Sequence, residues 1–250
     1  MAKFKVITPA GASFTVAGGG YGHEMEGMAG FDAEIVEAPS GSEEEFLRQA
    51  RDADALYAKG IPITRRIIDG LQRCKVISLG SVGVDSVDVA AATERGIPVT
   101  NCPDTFIEEV ADHAMALLLA GHRRLVVQDR MVREGHWRDG RPMLYEFPRL
   151  MGQTLGFIAF GHVARLVALR AKPFGLNLLA YDPFIEELVM SSYGVEAVSL
   201  NELLERSDFI SMHAPATPEA QGMLREEHFR HMKKTALFIN TGRGPTVDEP

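Results

Sequence analysis

Ala159, Gly161 and Ala164 stand in the run LGFIAFGHVARLVALRAKPFG at the G-x-G-x-x-G/A spacing that brings a phosphate to the start of a helix. An apolar strand-like run precedes them and a helical pattern follows. Gly161 lets backbone N–H groups at the helix N-terminus approach a pyrophosphate, and the helix dipole adds attraction. Ala164 is small enough for close helix–strand packing, whereas Ala159 departs from glycine at the tight turn. The next strand pattern ends at Asp182, in LLAYDP. A carboxylate there accepts both ribose hydroxyls of NAD and repels the 2′-phosphate of NADP. The same spacing also fits an ordinary βαβ unit in which Asp182 caps a turn with Pro183.

Two further runs carry candidate chemistry. Arg243, between Gly242 and Gly244 in NTGRGPTVD, follows a strand pattern and is placed to fork onto a carboxylate. A solvated loop arginine fits equally. In SLGSVGVD (78–85), the backbone N–H groups of Ser81, Val82 and Gly83 lie beyond a strand's carboxyl end, where ligands bind in open α/β sheets. A glycine turn leading into a helix fits as well. Gly18–Gly20, with Tyr21 and Gly22, lack the Gly-Lys-Ser/Thr that closes a phosphate loop and read as a flexible loop.

The eight histidines show no metal-ligand spacing, and His228 with His231 lack a third ligand, so no metal is expected. His213 ends a strand, where it either approaches a cofactor or is satisfied within its loop. Cys102 reads as a small buried residue rather than a nucleophile.

The elements that must position these residues alternate. Strands are expected at 4–8, 33–37, 55–58, 75–79 and 97–101, with helices from Ser42, over 64–71 and over 87–95. Ser42 and Glu45 have capping-box spacing, and Gly96 is a C-cap glycine. One long helix is expected from Thr105 to Glu134, opened by a box of Thr105 and Glu108, with an apolar stripe of Val110, Ala114, Leu117, Leu118 and Val126. Residues 135–150 form an irregular connection. A second series follows, with strands at 155–160, 177–181, near Val195, at 209–213 and at 236–240. Its helices lie at 162–174, 185–193, 200–206 (boxed by Ser199 and Glu202) and 226–232. Such alternation means βαβ units and parallel sheets.

Composition bounds the rest. In 250 residues, 26 Lys and Arg face 34 Asp and Glu, a net charge of −8, which argues against a nucleic-acid partner. No apolar run approaches the ~20 residues of a membrane helix, and the first residues lack a secretory signal. Two cysteines make no disulfide framework. A soluble, cytoplasmic, two-domain protein is expected.

Taken together, four blocks resemble the D-isomer-specific 2-hydroxyacid dehydrogenases: SVGVDSVDVAAATERGIPVTNCP (81–103), EEVADHAMALLLAGHRR (108–124), TLGFIAFGHVARLVALRAKPFGLNLLAYDP (154–183), and SMHAPATPEAQGML (211–224) with LFINTGRGPTVDE (237–249). The likeness is greatest to the phosphoglycerate dehydrogenase and C-terminal-binding-protein branches. The resemblance implies an α/β protein of two Rossmann-like parallel-sheet domains: a flavodoxin-like substrate domain over 1–103 and an NAD-binding domain over 104–250, the second incomplete. It implies that Gly161, His162 and Val163 meet the NAD pyrophosphate and Asp182 the ribose, while Ala214, Pro215, Thr241, Gly242 and Arg243 line the nicotinamide side. It implies that Val82 and Gly83 hold the carboxylate of a small 2-oxo or 2-hydroxy acid, with Arg243 as the catalytic arginine. A homodimer formed through the cofactor domain is implied too. The family's acid/base histidine and its glutamate belong downstream of Pro250, so the chain reads as C-terminally truncated and impaired in turnover. A second reading is an NAD-binding, corepressor-like sensing protein without significant catalysis.

Overall fold

A strand followed by a helix that crosses back over it returns the chain in the same direction, so the alternating pattern builds parallel ladders. The computed structural model describes residues 4–11 and 21–249; Gly18–Gly20 lie outside the described residues. Two units divide the chain, Met1–Thr105 and Phe106–Pro250.

The first unit runs β1 (Phe4–Pro9), α1 (Gly22–Gly27), β2 (Ala33–Ala38), α2 (Glu43–Ala50), β3 (Ala55–Ala58), α3 (Arg65–Gly70), β4 (Val76–Leu79), α4 (Val89–Glu94) and β5 (Val99–Thr100). Its five parallel strands lie in the order β2-β1-β3-β4-β5, the flavodoxin-like order. Ile7, Leu56, Ile77 and Leu79 of the sheet pack with Phe46, Ile67, Ile68 and Ala91 of the helices. The Ser42 hydroxyl accepts the Glu45 N–H at 3.2 Å and caps α2, while Gly96 ends α4 at φ +66°. Tyr21 leads directly into α1 instead of prolonging the expected loop.

The second unit holds α5 (Ile107–His122), α6 (Leu125–Arg133), a 3₁₀ turn (Pro142–Tyr145), β6 (Thr154–Ile158), α7 (His162–Ala171), β7 (Asn177–Tyr181), α8 (Glu187–Ser192), β8 (Glu196–Ala197), α9 (Leu200–Arg206), β9 (Phe209–Met212), α10 (Glu226–His231) and β10 (Leu237–Asn240). Its strands, again all parallel, are ordered β10-β9-β6-β7-β8, which is the Rossmann order. Ala111, Ala114, Met115 and Leu118 of α5 meet Ala164, Val167, Ala168 and Ala171 of α7 in one core. Alanines on both helices permit this close approach. Arg170 clips the pair by donating to Asp112 at 2.6 Å and to Glu108.

The single long helix expected over 105–134 is two helices. Phe106, not Thr105, is the N-cap, in the left-handed region at φ 64° and without a side-chain cap. The break falls at Arg124, also left-handed at φ 49°. There the guanidinium groups of Arg123 and Arg124 stack over the Phe147 ring, at 5.0 and 5.5 Å from its centre, and Arg124 pairs with Glu146 at 3.1 Å. These contacts turn the chain out of α5. Of the expected stripe, Ala114 and Leu118 are buried, whereas Leu117 on α5 and Val126 on α6 are exposed.

Candidate functional site

A cavity of about 410 Å³ opens at the carboxyl ends of β6, β7 and β9, lined by Ile158, Ala159, Gly161, Asp182, Ala214 and Pro215 among others. Its floor is the turn from β6 into α7. Ala159 sits there at φ +68°, a left-handed conformation that costs a residue with a Cβ about 1–2 kcal/mol. Three hydrogen bonds impose it, two between backbone groups and one to a side chain. The Ala159 N–H donates to the Tyr181 carbonyl at 2.9 Å, and the His213 N–H donates to the Ile158 carbonyl at 2.9 Å. The Phe160 N–H donates to Asp182 Oδ2 at 2.8 Å.

Gly161 is the N-cap of the ten-residue helix α7 and, being glycine, supplies no side-chain cap. A Cβ at Gly161 would meet nothing within 4 Å; open space lies over the helix start. His162 and Val163 form the first turn, and Val163 packs on the core. Asp182 Oδ1 accepts the Phe184 N–H at 2.8 Å. Each carboxylate oxygen thus holds one backbone bond and keeps a lone pair for another donor. Asp182 is therefore a turn cap and a lining residue of the cavity at once.

At the far wall, formed by His213, Ala214 and Pro215, β9 is flanked by β10. Their register sets Ile239 opposite Ser211 and Asn240 opposite Met212, so the next pair is Thr241 and His213. The His213 ring lies between them: Nε2 is 2.8 Å from Ser211 Oγ, and Nδ1 is 3.4 Å from Thr241 Oγ1. Burial pushes its pKa down to about 4, so the imidazole is neutral. Asn240 builds the turn that follows. Its Oδ1 accepts the Gly242 N–H at 3.0 Å, and its Nδ2 donates to the Arg243 carbonyl at 3.1 Å. Thr246 Oγ1 donates to the same carbonyl at 2.6 Å. The Arg243 backbone is thereby fixed just beyond the sheet.

In the first unit, the loop after β4 turns its carbonyls inward. The Ser81 carbonyl accepts the Cys102 N–H at 3.0 Å, that of Val82 the Asn101 amide at 2.7 Å, and that of Gly83 the Ser81 hydroxyl at 2.8 Å. In a trans peptide the following N–H points opposite its carbonyl, so the N–H groups of Val82 and Gly83 are directed away from these partners. Cys102 is exposed, not buried as its type suggested. It follows β5 on the carbonyl side of this loop, with its thiol donating to the Leu79 carbonyl at 3.7 Å.

Ser211, Asn240 and Thr246 were missed by sequence reasoning. Alternation along β9 and β10 puts Ser211 and His213 on one face, but only the register of two strands brings Thr241 to them. Among the described residues no His, Cys, Asp and Glu group is arranged to hold a metal ion. No described helix is long and apolar enough to cross a membrane.

Residues 115–250 match the family model described as the D-isomer specific 2-hydroxyacid dehydrogenase, NAD binding domain. The chain belongs to that family. Curated family relatives include a glyoxylate reductase of Korarchaeum cryptofilum, 42 % identical over 215 residues, 85 % of this chain and 64 % of the relative. A D-3-phosphoglycerate dehydrogenase of Methanocaldococcus jannaschii is 41 % identical over 217 residues, 86 % of this chain and 41 % of the relative. The chain thus spans under two thirds of each. Among solved structures of the family's fold, the D-lactate dehydrogenase of Aquifex aeolicus, complexed with NAD and lactic acid, superposes with a TM-score of 0.82 at 28 % identity, covering 98 % of this chain and 70 % of that one.

Proposed function

We propose that the chain serves as an NAD-dependent oxidoreductase that interconverts a D-2-hydroxyacid and a 2-oxoacid by hydride transfer. The observation that carries this is Asp182, a carboxylate tied to the Gly161 turn and lining the cavity at the carboxyl ends of β6, β7 and β9. The residues present fit NAD. Open space over Gly161 at the start of α7 suits a pyrophosphate, with His162 and Val163 beside it. Asp182 has lone pairs for the ribose hydroxyls, and Ala214, Pro215, Thr241 and Gly242 offer a wall for the nicotinamide. When bound, NAD supplies or accepts the hydride.

The chain's own groups orient the acid. In the cofactor domain Arg243 grips its carboxylate and polarises the 2-oxo group; in the substrate domain the outward N–H groups of Val82 and Gly83 are donors suited to a carboxylate. In this reading residues 1–103 form that domain and 104–250 the cofactor domain. We assign a homodimer to the exposed apolar side chains of α6 (Leu125, Val126 and Val132), because an apolar surface of this kind is covered by a partner. Cytoplasmic residence agrees with two cysteines left as thiols.

The test is a fluorescence titration of the 250-residue chain with NADH and NADPH. Saturable NADH binding, tighter than NADPH binding, is expected, and Asp182→Ala narrows the difference. A wild-type preference for NADPH overturns the assignment. In a full-length version, Arg243→Ala is expected to lower kcat/KM for a 2-oxoacid such as glyoxylate far more than it alters NADH affinity.

A further inference from the structure

We propose that His213 is a positioning residue: its imidazole, held between Ser211 and Thr241, locks the Thr241–Arg243 turn against the Ala214–Pro215 segment and so sets where Arg243 is presented. This deepens the functional reading and rests on it for the role of Arg243.

Two independent contacts join the segments. One is the side-chain chain Ser211–His213–Thr241, with separations of 2.8 and 3.4 Å. The other is backbone proximity. A Cβ at Gly242 would lie 2.9 Å from the Ala214 carbonyl oxygen and 3.3 Å from the His213 carbonyl carbon, so only glycine lets the turn close onto this segment. The Asn240 and Thr246 side chains shape the turn internally, and the Asn240 backbone pairs with Met212 of β9 at the last step of the ladder. Without His213 the turn keeps its shape and loses its side-chain anchorage to the neighbouring strand. A neutral imidazole is both donor and acceptor. When Nε2 accepts from the Ser211 hydroxyl, Nδ1–H donates to Thr241 Oγ1 and frees the Thr241 proton for another acceptor. Phe157, whose ring centre is 6.1 Å away, packs beside the imidazole and limits its tilt.

Hydrogen exchange read by mass spectrometry tests the lock on the whole chain. His213→Phe keeps a ring and removes both nitrogens, Thr241→Val removes the hydroxyl, and Thr241→Ser restores it. His213→Phe and Thr241→Val are expected to speed exchange about tenfold over 241–246 and at 214, with β6 and β7 unchanged. Thr241→Ser should behave as wild type, and the double variant should exchange no faster than either single one. Unchanged exchange in both single variants overturns the proposal, as does an additive double variant. Should His213→Phe fail to fold, the Thr241 pair decides alone. NADH titration of the same proteins separates the two readings. Coupled exchange in a wild type that binds no NADH leaves the lock standing and removes the cofactor reading. Saturable NADH binding with exchange unaltered does the reverse.

Discussion

Asp54 in the first unit and Asp208 in the second perform the same structural task. The Lys5 N–H donates to Asp54 Oδ2 at 3.0 Å while the Asp54 N–H donates to the Lys5 carbonyl at 2.9 Å. The Thr154 N–H donates to Asp208 Oδ2 at 2.8 Å while the Asp208 N–H donates to the Thr154 carbonyl at 2.9 Å. A cation completes each clamp at 2.8 Å, Arg73 on Asp54 and Lys233 on Asp208. Both clamps join the two strands, β1 to β3 and β6 to β9, between which strand addition reverses direction. Connections leave such a switch point on opposite sides of the sheet, so the amino ends need a local tie and the carboxyl ends open a crevice. The units agree where they are tied and diverge where they open. Beyond β6 and β9 lies the cavity with Asp182, whereas the first unit's inward-carbonyl loop follows β4, one strand over.

The clamps are the place to break this likeness. Asp54 is buried, and the Lys5 N–H with the Arg73 guanidinium hold its carboxyl below the usual range. Hydrogen bonds to charged groups contribute about 1.5–3 kcal/mol, so Asp54→Ala should destabilise the first unit by about 2–3 kcal/mol. Asp208→Ala, in a more open clamp, should cost the second unit about 1–2 kcal/mol. Hydrogen exchange resolves the units separately. Equal loss in both from either variant would show that they unfold as one. The lowered carboxyl also fixes a sign. The Asp54 contribution is complete above 3.8, its unfolded value, and disappears as pH falls through the lower folded value.

Asp182 sharpens the functional half of the comparison, because no clamp depends on it. Asp182→Ala removes the acceptors of two backbone N–H groups and those of the ribose together, so NADH affinity should fall by about tenfold or more, equivalent to ~1.4 kcal/mol or above. Exchange at the clamps should stay as in the wild type. An affinity unchanged by the substitution would detach Asp182 from the cofactor.

Legibility in the sequence follows the range of the forces involved. Ser42 and Ser199 cap their helices as their spacing requires, because a cap is settled within four residues. Thr105 has the same spacing and caps nothing: Phe106 turns left-handed next to it. The Arg124 break depends on Glu146 and Phe147, more than twenty positions on, and no periodicity in 105–134 announces it. The letter at 159 showed a departure from glycine but not that the backbone keeps glycine's conformation. The contact of His213 with Thr241 exists only through the register of β9 and β10.

His213 yields an effect read through pH. Its folded pKa of about 4 lies below the ordinary 6.5, so the unfolded chain takes up a proton first on acidification. The contribution to stability is therefore whole above 6.5 and declines as pH drops toward 4. His213→Asn, which does not titrate, should flatten the denaturant midpoint between pH 7.5 and 4.5 relative to wild type. A wild-type profile flat over that range would mean that the imidazole is solvated, against its packing beside Phe157.

The smallest effect isolates strain at the cavity floor. Ala159 holds φ +68°, at a cost of about 1–2 kcal/mol relative to glycine, because its neighbours' hydrogen bonds outweigh the steric clash. Glycine removes the clash but enlarges the unfolded ensemble, which costs back about 0.5–1 kcal/mol. Ala159→Gly should thus raise stability by about 0.5–1 kcal/mol, a thermal shift of a few degrees or less for a chain of this size. Ala159 also lines the cavity, so the loss of its methyl should leave NADH affinity equal or higher. A lower melting temperature would mean that the left-handed turn is not strained and that the alanine side chain contributes packing there. A higher melting temperature with weaker NADH binding would separate the two roles and make the methyl part of the cofactor wall.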